Sequence, residues 1–455
     1  MTYYIKNKLK MKNKKMAINI TRENAKDWYL AKFNSFENNL NGSKEMPFHQ
    51  IRKLAISRFS TLGFPAMKDE EWKYTNVEPI LKKQFNLSEK REVQASVLNK
   101  LTFAGLKESV IVFVNAKYSE SLSSISLKTK EGVIISSING AHNISSKLVN
   151  KYLGKYADFE NETFTALNTA FTNDGLFIYI PDNTIVEDTI HVIYLSDGSY
   201  VSHPRNLIVA GKNSQVKIIE TFHGASQESY FNNVVSEIVL DENANVEHIR
   251  IQDENINAFH VSNVQIHQER NSVLRTVSLD LGGALVRNNL SVKLNGENCE
   301  THLFGFFMGK ESQHIDNHTF IDHAKPHCFS NELYKGILDD KSTGVFNGKI
   351  MVRPDAQKTN ALQSNKTLLL TDDASIYAKP QLEIFADDVK CTHGATIGKL
   401  DDEALFYLRA RGIGEEMANA MLRHAFISDV LDNITEESVL NALDAQIIER
   451  FTNGK

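Results

Sequence analysis

The sequence predicts a mainly β protein in which a long body of short strands lies between two helical regions. From about Thr21 to about Lys83 the apolar residues follow helical spacing. From about Gly175 to Leu400, short β-rich runs alternate with turn residues, and helical spacing returns after Leu400. The 455 residues, of which 42% are hydrophobic, are enough to bury more than one core.

The N-terminal helices are indicated by apolar residues such as Leu30, Phe33 and Phe36, which would share one helix face. Gly63 and Pro65 end this stretch, because neither residue continues a helix comfortably. Six lysines between Lys6 and Lys15 come before it without a following apolar run. This tail is therefore interpreted as solvated chain, or as the result of a start codon that lies upstream of the true one.

The β body consists of short strands that end at turn residues rich in Asn, Asp and Gly. Such turns follow Leu176–Ile180, Leu207–Ala210, Val235–Leu240, Leu290–Leu294 and Leu368–Leu370. A region of this kind without helices indicates a sandwich, a barrel or a solenoid, and periodicity alone does not choose among them. The length is awkward for one sandwich, so stacked coils are favoured and a parallel β-helix is expected.

The C-terminal region is predicted to hold three helices. Asp401 and Asp402 begin the first, and Gly412 ends it. The second runs through Met417, Met421 and Phe426, and the third begins near Thr435. The predicted division is a helical region at 1–90, a mixed α/β connecting segment at 91–174, the β core at 175–400 and a helical domain at 401–455.

Composition excludes several classes of protein. The formal net charge of -5 argues against a nucleic-acid partner held by a general positive field. No apolar run has the length that a membrane span needs, and the charged fraction of 24% is that of an ordinary globular protein. Only three cysteines occur, Cys299, Cys328 and Cys391, so a disulfide framework is not expected and a cytoplasmic location is predicted.

Cys391 and His393 form the sharpest local signal for a binding site. In an extended strand they would lie on the same face, roughly 7 Å apart at the backbone. A thiolate and an imidazole suit zinc, copper or iron, but two ligands do not close a tetrahedral site, so the others would come from elsewhere, including another chain. The plain alternative is a buried cysteine beside a hydrogen-bonded histidine, which the spacing alone favours.

A second polar cluster supports the best enzymatic interpretation. His314, Asp316 and His318 would share a strand face, as do the two histidines and one carboxylate of non-haem iron sites. A metal-dependent enzyme is therefore the alternative function, although Asp and His are also common at turns and no general acid or base can be placed around them.

The stretch Gly344–Ile350 invites comparison with a phosphate-binding loop. It has three residues between its glycines instead of four, and Ile350 stands where a Ser or Thr would bind magnesium. ATPase activity is therefore not expected, and the glycines are interpreted as turn residues between short strands.

Several stretches together resemble the SufD family, whose members take part in iron–sulfur cluster assembly. The resemblance covers nearly the whole chain and depends on Asp69–Thr75, Val345–Lys349, Gln363–Lys366, Lys379–Gly398 and Phe406–Ile413. It implies a right-handed parallel β-helix core between helical domains, and a non-enzymatic scaffold role.

The resemblance also implies partners and site residues. The family forms a complex with its paralogue SufB, toward which the Cys-x-His pair faces, and with the ABC-type ATPase SufC. It implies that His393, with Cys391 as an accessory ligand, holds a transient iron–sulfur cluster or iron at the subunit interface. It implies docking of SufC on the C-terminal helices, with Met417, Met421 and Phe426 as candidates. No tightly bound cofactor is expected in the isolated chain; iron, flavin and a homodimer in isolation stay open.

Overall fold

The computed structural model of the protein describes residues 22–40, 44, 46–106, 109–125 and 131–453. The lysine-rich tail and Met16 lie outside these residues. Eight helices are described in these ranges: α1 (22–38), α2 (Phe48–Leu62), α3 (Glu78–Leu81), α4 (Ile138–Tyr152), α5 (Thr163–Phe171), α6 (Asp402–Ala410), α7 (Glu415–Leu431) and α8 (Glu437–Asn453). Short 3₁₀ turns cover Glu70–Trp72, Ala95–Lys100 and Glu120–Leu122.

The strands, numbered in chain order, form two long sheets. The odd sheet has the order β21-β19-β17-β15-β13-β11-β9-β6-β5; β8 also pairs with β11, and β1 pairs with β8. The even sheet has the order β22-β20-β18-β16-β14-β12-β10-β7-β2-β3, with β4 beside β2. The strands of the odd sheet are β1 (Asn86–Leu87), β5 (Ile134–Ser137), β6 (Leu176–Ile180), β8 (Tyr200–Ser202), β9 (Arg205–Ala210), β11 (Phe231–Leu240), β13 (Phe259–Gln268), β15 (Leu285–Leu294), β17 (His314–His323), β19 (Thr343–Val352) and β21 (Ser375–Ile384).

The even sheet alternates with the odd sheet along the chain. Its strands are β2 (Ser109–Val114), β3 (Lys117–Tyr118), β4 (Ser124–Ile125), β7 (Ile190–Ser196), β10 (Gln215–Gly224), β12 (Asn245–Asp253), β14 (Val273–Asp280), β16 (Glu300–Gly309), β18 (Phe329–Leu338), β20 (Asn360–Leu369) and β22 (Lys390–Gly398). Each coil therefore adds one strand to each sheet. This confirms the predicted β-helix as a solenoid of about eight turns.

The two ends of the solenoid differ. From β6 to β22 neighbouring strands are parallel, whereas β3 and β4 run antiparallel to β2, and β5 runs antiparallel to β6. These antiparallel strands close the N-terminal end of the stack. The other end, formed by β21 and β22, is called the open end here, because no described strand pairs with its outer edge.

One corner of the solenoid is built from stacked asparagines. Asn183, Asn213, Asn243, Asn271 and Asn298 all have positive φ, which asparagine tolerates better than most residues. From Asn213 onward, each amide donates to the Oδ1 of the asparagine one coil below, over 2.8 to 3.2 Å. The predicted turns at 182–183, 211–213 and 241–243 are therefore successive steps of one ladder.

Helices cover the outer faces of both sheets. Helices α1, α2 and α5 pack on the odd sheet around an aromatic cluster, whereas α7 and α8 pack on the even sheet.

Asp401 caps α6 through its carboxylate, and Gly412 follows the helix with a φ of 87°, as predicted. Strands β2 to β5 of the predicted connecting segment pair with the end of the solenoid; the four-part division itself stays a prediction. No helix within the described residues is long and apolar enough to cross a membrane.

Candidate functional site

Cys391 and His393 lie on β22, the edge strand of the even sheet at the open end. Their Cα partners on β20 are Ala361 and Gln363, both of which are buried inside the solenoid. Because in-register neighbours of a parallel sheet face the same side, Cys391 and His393 also face the interior side. The prediction that the pair shares one strand face is confirmed.

The two side chains differ in exposure. Cys391 is half-buried and packs against the solenoid core, so that burial raises the pKa of its thiol. His393 is exposed, since the stack has no coil above it. The plain alternative, a buried cysteine beside a hydrogen-bonded histidine, differs from this arrangement, in which Cys391 is half-buried and His393 is exposed. Metal binding would have to displace the Cys391 proton, because a metal binds the thiolate and not the thiol.

The interior below His393 is polar. Gln363, directly in register with His393, donates through Nε2 to Glu332 Oε2 over 2.8 Å. Burial raises the pKa of Glu332 to about 7, against the hydrogen bond from Gln363, which lowers it. Glu332 Oε1 and Gln363 Oε1 are both buried and have no hydrogen-bond partner within the described residues.

Glycine makes the room for this pair. A Cβ on Gly348 would lie 2.4 Å from Gln363 Nε2 and 2.8 Å from Phe346 Cζ. The prediction that Gly344 and Gly348 are turn residues is wrong, because both lie within β19, paired with β17 and β21. The small size of these two residues, and not a turn, explains why glycine occurs at both positions of β19.

The raised pKa of Glu332 predicts a pH-dependent stability. A carboxyl that titrates at about 7 when folded and at about 4.5 when unfolded holds its proton better in the folded protein. Its stabilising effect is complete below pH 4.5 and is lost as the pH rises through 7. We expect Glu332→Gln to raise the free energy of unfolding at pH 8 by about 2–3 kcal/mol relative to its effect at pH 5. Urea denaturation at the two pH values measures this, and an equal effect at both would contradict it.

His314, Asp316 and His318 also share a face, but it is the outer face of the odd sheet. Thr75 Oγ1 donates to Asp316 Oδ2 and lies 2.8 Å from His314 Nε2. Arg287 Nη1 donates to the same carboxylate oxygen over 2.7 Å, and His318 Nε2 lies 3.0 Å from Asp316 Oδ1. Burial alone would raise the pKa of Asp316, but the charges of His318 and Arg287 outweigh it and hold the pKa well below its usual range.

The partner of this cluster is the N-terminal motif Asp69–Thr75. The Arg287 guanidinium lies 3.9 Å from the centre of the Trp72 ring, and the Tyr74 ring stacks on Tyr377 at 4.5 Å. Glu70 pairs with Lys379 of β21 at 2.6 Å. We call these contacts, together with those of Thr75, the clasp, because they fasten the N-terminal motif across the last coils.

The clasp removes the basis for the metal-enzyme alternative. The Asp316 carboxylate already contacts Thr75, Arg287 and His318 through hydrogen bonds and ion pairs. Throughout the described ranges, no group of three or more His, Cys, Asp and Glu side chains is arranged to hold a metal ion. The cluster is a structural contact, and the sequence could not indicate this because Thr75 lies about 240 residues away.

The candidate docking residues on α7 separate into two groups. Met417 and Met421 are 48% and 44% exposed, whereas Phe426 packs against the helix–sheet core beneath the Lys335 ammonium. Phe406 and Tyr407 of α6, which the prediction did not include, are 74% and 56% exposed. Neighbouring exposed apolar side chains that form a patch are typical of a binding surface. We call Phe406, Tyr407, Met417 and Met421 the α6–α7 surface.

Comparison with known families agrees with this arrangement. Residues 193–426 match the model of the SufBD core domain of the SUF system of iron–sulfur cluster assembly. Residues 23–192 match the model of the SufBD N-terminal region. The chain belongs to the SufBD family. This SufBD-family chain is thus a component of iron–sulfur cluster assembly.

Relatives extend over most of this SufBD-family chain. An iron–sulfur cluster assembly SufBD family protein of Synechocystis is 34% identical over 89% of this chain and 91% of its own length. The iron–sulfur cluster assembly protein SufD of Escherichia coli is 30% identical over 91% of this chain and 95% of its own length. A chloroplastic protein of Arabidopsis thaliana is 30% identical over 89% of this chain and 87% of its own length.

Sequence reasoning missed the residues beneath the Cys391–His393 pair. Gln363 and Gly348 stood in two stretches that carried the family resemblance, but no role was assigned to either. Glu332 was not singled out at all. The sequence gives little signal for it, because Glu332 shares its strand face with Ser330, Tyr334 and Gly336 and no run of apolar residues marks that face as interior.

Proposed function

We propose that the chain is a non-enzymatic scaffold subunit that acts with a SufB-type paralogue and a SufC-type ATPase. In this proposal, Cys391 and His393 supply one half of the site where a nascent iron–sulfur cluster, the cargo, is built. The observation that carries the proposal is the position of an exposed His393 and a half-buried Cys391 on the last strand of an open solenoid.

The open end supports a partner of the same architecture. Strand β22 leaves its outer edge unpaired within the described residues, and such an edge invites another strand. Large apolar side chains at or beside the edge are exposed: Tyr377, Ile384, Phe385 and Ile397. A second solenoid would cover these side chains and bring its own ligands toward His393.

The composition of the half-site suits a cluster that is passed on. Cysteine thiolates are the usual ligands of iron–sulfur clusters, and histidine replaces some of them in certain centres. One thiol and one imidazole leave a four-coordinate iron incomplete without a partner. A site of this kind opens when the two chains separate, which would release the cargo.

The ATPase is proposed to be a separate subunit. The stretch that resembles a phosphate-binding loop is strand β19, so its backbone N–H groups lie in a sheet and do not surround a phosphate. The α6–α7 surface, with Met417 and Met421 one helical turn apart, offers an apolar docking place for SufC.

Met421→Glu is predicted to weaken the binding of SufC by at least 10-fold, because it places a charge in an apolar contact. Ile448→Glu is the control, since Ile448 is a similarly exposed apolar residue, 38% exposed, on the neighbouring helix α8. Both variants should fold normally, and binding is measured by titration with purified SufC. If Met421→Glu bound SufC as tightly as the unmodified chain does, the proposal that SufC docks on this part of α7 would be wrong.

Co-purification tests the proposal as a whole. The chain is expressed with SufB and SufC, and the isolated complex is analysed for subunit ratio, iron and sulfide. We expect a stoichiometric complex, in the cytoplasm, with no iron held by the chain alone. A chain that remains alone or pairs only with itself, or that holds one iron and turns over a substrate, would contradict the proposal.

A further inference from the structure

We propose that Gln363, oriented by Glu332, is a positioning residue that accepts a hydrogen bond from the His393 imidazole and selects its tautomer. This inference rests on the proposed function of His393 as a ligand. It assigns a role to two buried residues and one glycine that no part of the cluster chemistry otherwise requires.

The register of the even sheet brings the three residues into line. His393 is the Cα partner of Gln363 on β20, and Gln363 is the partner of Glu332 on β18. Adjacent strands are spaced by about 4.8 Å, and all three side chains face the interior. The His393 ring is therefore the next polar group above the Gln363 amide, at the open end.

The orientation of the Gln363 amide follows from Glu332. The carboxylate accepts from Nε2 over 2.8 Å, so the nitrogen of the amide faces down the stack. The oxygen Oε1 is then left over, and it is buried without a hydrogen-bond partner within the described residues. Gln363 itself is only 3% exposed, and an unpaired buried amide oxygen costs stability. An imidazole N–H from His393 would satisfy it.

Such a contact has a chemical purpose at a metal ligand. A metal-binding histidine nearly always donates its second ring N–H to an acceptor, which orients the ring and determines the nitrogen that binds the metal. His393 is exposed and would otherwise rotate and exchange tautomers freely. The Gln363 amide would hold one nitrogen of the ring and turn the other toward the subunit boundary.

Gly348 permits this arrangement from the opposite sheet. Its missing Cβ leaves the space for the Gln363 amide, whose Nε2 would otherwise lie 2.4 Å away and whose Cδ would lie 2.9 Å away. A methyl group there would push two side chains and not the backbone: the end of Gln363 and the Phe346 ring, whose Cζ would lie 2.8 Å away. Gly348→Ala therefore displaces the amide without changing its chemistry.

The test is the tautomer of His393 in the full chain. Protein labelled with ¹⁵N in its histidines gives long-range ¹H–¹⁵N spectra that separate the two tautomers, and the His393 signals are those lost in His393→Ala. We expect a single tautomer in the unmodified chain, and a mixture in both Gln363→Leu and Gly348→Ala. Glu332→Gln should keep the single tautomer, because its side-chain oxygen still accepts from Gln363 Nε2.

Gly344→Ala is the matched control for crowding. Its Cβ would lie 2.8 Å from Leu338 Cδ1 and 2.9 Å from Ile376 Cδ1, on the same strand but away from Gln363. It should leave the tautomer unchanged. A mixture of tautomers in the unmodified chain, or a single tautomer in Gly348→Ala and Gln363→Leu, would overturn the inference.

Cluster delivery in cells separates this inference from the function on which it rests. We expect Gln363→Leu and Gly348→Ala to lower delivery about 10-fold at normal protein level, the lower end of the effect of removing an outer hydrogen bond to a metal ligand. Normal delivery by His393→Ala would contradict the proposed function. Loss of delivery by His393→Ala, together with normal delivery by Gln363→Leu and Gly348→Ala, would contradict only the positioning role.

Discussion

Replacing His393 by alanine should stop iron–sulfur cluster delivery in cells while leaving the protein folded and its complex intact. His393 is exposed at the end of the solenoid, so its loss leaves no cavity. What it removes is one of the two ligands that we propose for the open end. Two ligands make only half of a four-coordinate site, so the partner's ligands alone would not complete it.

The measurement combines three quantities in one strain: the amount of the protein, the yield of its complex and the activity of an iron–sulfur enzyme that depends on delivery. Thr392→Ala is the control, because Thr392 lies on the same strand and is also exposed but faces the opposite side. Cys391→Ser should reduce delivery less than His393→Ala, since the thiol is the accessory ligand in the proposal. Full cluster delivery by His393→Ala would contradict the proposal that Cys391 and His393 form half of a cluster site.

Of the variants proposed, Asp316→Ala should cause the largest loss of stability, about 3–5 kcal/mol in the free energy of unfolding. The carboxylate is fully buried beside Arg287, which is 2% exposed and would be left as an uncompensated charge. Thr75 and His318 would lose their partner as well. Because the folded pKa of Asp316 is depressed, this stabilisation is present above the unfolded pKa of roughly 3.9 and is lost as the pH falls below it.

Urea denaturation measures the global effect, and limited trypsin digestion measures the local one. Lys73 is exposed within the clasp and should be cut faster once the segment is released. Asp372→Ala is the control: it removes an ion pair with Lys399 in which both side chains are exposed, and no measurable change is expected. If Asp316→Ala and Asp372→Ala had the same free energy of unfolding, the clasp would not contribute to the stability of the fold.

The sequence predicts best those parts of the fold in which neighbouring residues determine where a strand or helix begins and ends. Strand β6 was predicted at Leu176–Ile180 and found there, because an apolar run ends at Asp182 and Asn183. Helix α6 begins after the predicted cap at Asp401. Helix α5 was missed because it spans only nine residues, too few for the helical spacing of Thr165, Asn168 and Thr169 to stand out.

The site was predictable only where its residues are neighbours in sequence. Cys391 and His393 were identified from the two-residue spacing of a strand. Gln363 and Glu332 lie one and two coils away, and only the register of the sheet brings them beneath His393. In the same way, Phe426 and Met421 share a helix, and sequence could not tell which one the body of the protein would cover.

The unequal ends of the solenoid have a consequence for how many copies can join. A stack with two bare ends could add further stacks at both, and growth would continue into a fibre. Here β3, β4 and β5 run antiparallel at one end and terminate the parallel pattern there. The described parallel pattern therefore continues to one end only. If a partner joins the open end as proposed, further joining by parallel strand pairing would stop at a pair.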